Sequence, residues 1–97
     1  MKEIRWDPEK SDSLKQQRGL SFEEVLQGEL IQDREHPTQP HQNLMLFKLD
    51  DYVWVVPYVE TETEIFLKTL YQSRKYTRLY REGRIIHENK SEKDQTD

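Results

Sequence analysis

Apolar residues change their spacing along this chain, and each change marks an element. Ile4, Arg5 and Trp6 suit a short strand, which Asp7-Pro8 ends: Asp7 is a favourable helix N-cap, and proline fits the first helical position. Gly19 stops that helix. Ser21 and Glu24 have capping-box spacing, with Leu20 and Val25 at the positions of a hydrophobic staple, which predicts a second helix from Phe22 to about Gln27, before Gly28. After Gly28 the period shortens. Leu30-Ile31, Leu44 to Leu49, Tyr52 to Val59 and Ile65 to Leu70 are rich in β-branched and aromatic residues and predict strands, with turns at Asp50-Asp51 and at 60–64. Residues 32–43, with Pro37 and Pro40, read as one long loop.

The turns are too short for crossover helices. The expected fold class is therefore α+β: a mainly antiparallel sheet of four to five strands, with two N-terminal helices and one C-terminal helix gathered on one face. Ser73 caps the last helix, whose Tyr76, Leu79 and Tyr80 form an apolar face, while Arg74, Arg78 and Arg81 recur at i, i+4, i+7 as a separate stripe. Its first two positions, Arg74 and Lys75, put cations at the positive pole of the helix dipole, where a stability-driven sequence places acids. A broken local rule without visible compensation points to a functional site. Free backbone N–H groups plus two cations suit a phosphate or carboxylate.

Composition sharpens this picture. Ninety-seven residues suffice for one small domain, expected over residues 1–86, and an apolar fraction of 33% against 35% charged implies a thin core or some unstructured chain. Residues 87–97 contain no apolar side chain and are expected to form a disordered acidic tail. The net charge of −4 is unevenly spread: residues 1–67 carry seven Lys/Arg against fourteen Asp/Glu, whereas 68–84 carry six Lys/Arg against Glu82 alone. A basic element on an acidic body suits a local anionic ligand or an acidic partner better than general adhesion to nucleic acid. The absence of cysteine excludes disulfides, thiolate catalysis and Cys-ligated zinc. No stretch resembles a signal peptide or spans a bilayer, so a cytoplasmic protein without a membrane partner is expected.

Arg5-Trp6-Asp7-Pro8-Glu9-Lys10, then Arg18-Gly19-Leu20-Ser21-Phe22-Glu23-Glu24, then Ser73-Arg74-Lys75 opening a basic helix, resemble in order and spacing the BrnT family of bacterial type II toxins. The resemblance runs through most of residues 4–82. It implies a compact RelE-like domain within the RelE/ParE-like superfamily, a ribonuclease activity that blocks translation, and neutralisation by a cognate antitoxin protein. The chain departs from the family pattern in its acidic balance and in Gln17-Arg18, where a Lys-His pair often precedes the glycine.

Metal-independent RNA cleavage needs a base for the 2′-hydroxyl, cations against the phosphate and an acid for the leaving 5′-oxygen. Arg74 and Lys75 are the natural phosphate clamp, and Ser73, Arg78 and Arg81 are candidates for substrate binding. Lys68 alternates with Phe66 and Leu70 and is expected to share their face, near the site or snorkelling from it. His36 carries an imidazole, a group that can accept or donate a proton, and suits proton transfer, unless it is simply an exposed loop histidine. Tyr80 and Tyr76 suit phosphate or base contact, or the core. Trp6 is expected against the first helix. His36 and His41 lack a third ligand, so neither metal nor other cofactor is expected. The implied partners are the antitoxin and an RNA substrate, on or off the ribosome, with the acidic body suited to a basic antitoxin. The competing reading is a non-enzymatic toxin or adaptor that binds a protein target through the basic helix.

Overall fold

The computed structural model describes residues 2–85, so the expected tail at 87–97 lies outside the described residues. In chain order the elements are β1 (Glu3–Arg5), α1 (Pro8–Arg18), α2 (Phe22–Val25), β2 (Glu29–Glu35), β3 (Asn43–Leu49), β4 (Tyr52–Glu60), β5 (Glu64–Leu67), β6 (Tyr71–Ser73) and α3 (Arg74–Arg81). The class is mixed α+β, as expected. Six strands form one sheet in the order β1-β5-β4-β3-β2, with β6 also paired to β4. All pairings are antiparallel except β1 with β5.

The sixth strand arises because the expected strand Ile65 to Leu70 breaks after Leu67. Leu67 pairs with Tyr58 and Tyr71 with Val55, so four steps on one side oppose three on β4 and an extra residue bulges out. Within that bulge the Lys68 N–H donates to the Pro57 carbonyl at 2.8 Å. In an antiparallel strand a residue's N–H and C=O point the same way. The donor that Pro57 lacks therefore faces the bulge, and proline sits inside β4 without breaking the ladder to β3. The break also corrects the expectation for Lys68. Leu67 and Leu70, three residues apart, are both buried, whereas Lys68 is exposed and does not continue the face of Leu70.

Residues 32–35, expected in the loop, extend β2, and the loop shrinks to 36–42. Their polarity suits an edge strand, where charges discourage pairing with other chains. A second correction concerns the helices. Met45, Phe47, Val56 and Tyr58 pack with Leu14, Phe22 and Val25 of α1 and α2, while Leu44, Leu46, Val53 and Val55 pack with Tyr76 and Ile85. Because successive strand residues point to opposite faces, α1 and α2 cover one face and α3 the other. The runs Leu44–Phe47 and Val55–Tyr58 are buried without interruption, as strands covered on both sides must be.

The helix ends follow the sequence closely. Asp7 caps α1 by accepting the Glu9 N–H, Gly19 ends it at φ 83°, and the Ser21–Glu24 capping box is complete. Trp6 packs on Phe22 of α2, with ring centroids 5.8 Å apart, rather than on α1 alone. No helix among the described residues is long and apolar enough to cross a membrane.

Candidate functional site

Ser73 ends β6, paired with Val53, and also caps α3, its hydroxyl accepting the Tyr76 N–H at 3.1 Å. One turn on, the buried Thr77 hydroxyl donates to the Ser73 carbonyl at 2.6 Å and accepts the Val53 N–H at 2.8 Å. These bonds fasten the start of α3 to the middle of the sheet. Arg74 and Lys75 therefore stand exposed on a fixed first turn that contains no acidic residue.

Behind them the Tyr76 ring is buried, with two cations against it: Lys75 Nζ lies 5.5 Å and the Arg34 guanidinium 5.8 Å from its centroid. Arg34 comes from β2, where it pairs with Leu44 of the α3-side core, and one of its nitrogens donates to Gln32 Oε1 at 3.3 Å. Arg18, at the end of α1, donates to the Leu70 carbonyl at 2.6 Å, next to β6. Burial holds the neighbouring Tyr71 phenol above its ordinary pKa, Tyr76 adds to that rise, and the Arg18 charge opposes it.

Lys2, Arg5, Lys15, Arg78 and Arg84 each form an ion pair with a carboxylate. Arg18, Arg34, Arg74 and Lys75 form none among the described residues. In a chain with 19 acidic and 15 basic residues, Arg34 and Lys75 at the Tyr76 ring, with Arg74 next to Lys75 in sequence, put positive charge at the start of α3 with no carboxylate partner among the described residues. It can hold an anion with phosphate geometry.

The other candidates make contacts of their own. Arg78 lies 4.0 Å from Glu82, and Arg81 donates to the Asp51 carbonyl at 3.0 Å with its guanidinium over the Tyr52 ring, so the rear of the expected arginine stripe is engaged with the protein itself. Tyr80 is half-buried against the α3-side core. Lys68 Nζ sits 6.0 Å from the Phe66 ring centroid. His36 Nδ1 accepts the N–H groups of Thr38 and Gln39 at 3.1 and 3.0 Å, closing the turn after β2. It lines an open polar cleft of about 760 Å³ with Lys2, His41, Glu60 and Glu62, and no residue of α3 lines that cleft. Among the described residues no group of three or more His, Asp and Glu could hold a metal ion.

Sequence reasoning missed Arg34 and Tyr71 and saw Arg18 only as a helix end. The signal for Arg34 was weak but present: Ile31 starts a segment in which Gln32 and Arg34 alternate with Asp33 and Glu35, a strand pattern masked by its polarity.

No protein-family model matches the chain, and no curated protein matches it in sequence. Among solved structures, the ribonuclease toxin BrnT of Brucella abortus is similar, with a TM-score of 0.52 at 15% identity, over 75% of this chain and 97% of that one. At that identity the likeness is one of fold.

Proposed function

We propose that the chain is a ribonuclease toxin of a type II toxin–antitoxin pair, RelE-like in arrangement, and that Arg74 and Lys75 bind the scissile phosphate. One observation carries this reading: the unpaired cations gathered where α3 begins, on a fold similar to that of a ribonuclease toxin. In metal-independent cleavage the ribose 2′-hydroxyl gives up its proton to solvent and its oxygen attacks the adjacent phosphorus, the bond to the 5′-oxygen breaks, and that oxygen takes a proton from solvent, with charge accumulating meanwhile on the non-bridging oxygens. Cations already in place stabilise that charge without reorganising. Arg74 and Lys75, aided by the first N–H groups of α3, are so placed. Ser73 fixes the turn that presents them. Arg78 and Arg81 add positive potential along the helix rather than direct contacts. His36 shapes the loop after β2 and lines a cleft to which α3 contributes no residue, and Tyr80 packs against the core beneath α3. The body over residues 1–67, with a surplus of seven acids, suits a basic segment of the antitoxin.

Controlled expression in a bacterial host, wild type beside Arg74→Ala, tests the reading when growth and total RNA integrity are followed together. The expected outcome is growth arrest with RNA decay, both lost in the variant. Arrest with intact RNA would contradict the ribonuclease reading and favour a protein target.

A further inference from the structure

Two like charges lie against one buried ring. Arg34, on edge strand β2, and Lys75, on α3, both contact Tyr76, and neither has a carboxylate partner among the described residues. The acids flanking Arg34 in sequence do not help. Strand alternation sends Asp33 to the opposite face, where it accepts the Tyr58 hydroxyl at 2.6 Å, and Glu35 lies on that same opposite face. A cation pair without a counter-charge is electrostatically unfavourable on its own and becomes favourable when an anion bridges it.

We propose that Arg34, against the same Tyr76 ring as Lys75, binds a backbone phosphate of single-stranded RNA adjacent to the scissile one held at Arg74 and Lys75. The inference rests on the RNA-cleaving reading and adds to it a residue from a different element. A cation–π contact, 5.8 Å from the phenol ring centroid, and the bond to Gln32 orient the guanidinium, which has further N–H donors for a bidentate contact. β2 is an edge strand, so among the described residues no further strand pairs along its outer side. The same three groups give a further expectation: a lysine at position 34 keeps the charge but not the two-donor geometry.

The test is binding of an uncleavable 2′-O-methyl RNA oligonucleotide to the full chain over a series of salt concentrations, for the wild type, Arg34→Gln, Arg34→Lys and, as a control on the far sheet edge, Arg5→Gln. Losing one phosphate contact on a single strand lowers the slope of log affinity against log salt by about 0.7. Arg34→Gln is expected to show that reduction with a fall in affinity of about tenfold, a step of about 1.4 kcal/mol. Arg34→Lys should keep the slope with weaker binding, and Arg5→Gln should match the wild type. A wild-type slope and affinity in Arg34→Gln, while Arg74→Ala loses binding, would overturn this inference and leave the RNA reading intact. Failure of the wild type itself to bind the oligonucleotide would overturn both.

Discussion

Thr77 shows how one hydroxyl can place a functional helix. It is 4% exposed, donates to Ser73 and accepts from Val53, so it closes the last gap between β4 and the first turn of α3. Replacing it with valine keeps the shape and leaves the Val53 N–H buried without an acceptor, a cost of about 1–3 kcal/mol. Thr77→Val is therefore expected to lower the urea midpoint with little change in m-value. An unchanged midpoint would show that the bond to Val53 contributes nothing net. The residue scale is also where sequence reading was weakest. Arg34 looked like a loop residue because its neighbours are polar, yet its role depends on a pairing with Leu44 and on a ring, Tyr76, far away in sequence. Lys68 was misplaced because one bulged residue shifts every later side chain, and nothing local announces that bulge except Pro57, which lies on another strand.

At the scale of elements, caps and turns are local chemistry and were legible as such. The Ser21–Glu24 box, Asp7-Pro8 and Gly19 each satisfy backbone groups within a few residues of themselves, so their signals need no tertiary context. Helix α1 buries only Ser11 and Leu14 and is held largely by polar bonds to the next helix: Ser11 accepts the Phe22 N–H, and Lys15 bonds Glu24. Lys15 first, and then the Ser21 N–H, hold the Glu24 carboxyl below its ordinary pKa of 4.5. A depressed folded-state pKa contributes stability that is present above the unfolded value and lost as pH falls through the folded one. Unfolding midpoints measured down the acid limb should thus converge between the wild type and Glu24→Gln below about pH 4.5, with the wild type more stable near neutrality. A constant difference across the whole range would mean that the carboxylate's charge is not what joins the two helices.

For the whole molecule, the placement of helices was misread although the sequence held the clue. Leu44 to Phe47 is unbroken in apolar character, and a strand with water on one side cannot be so; the structure accordingly covers both faces, α1 and α2 on one and α3 on the other. That sandwich gives the charge pattern its geometry, since α3 brings its basic residues to a face of its own and Asp33, beside Arg34 in sequence, turns to the opposite face to accept the Tyr58 hydroxyl. The central claim is that this cluster cleaves RNA without a metal. Its most direct test is incubation of the purified full chain with labelled single-stranded RNA in the presence of a chelator, beside Arg74→Ala of matching urea midpoint. The account predicts fragments ending in 2′,3′-cyclic phosphate and 5′-hydroxyl groups from the wild type, with a rate about 10²-fold or more lower in the variant. Intact RNA from the wild type, or equal cleavage by both proteins, would contradict it.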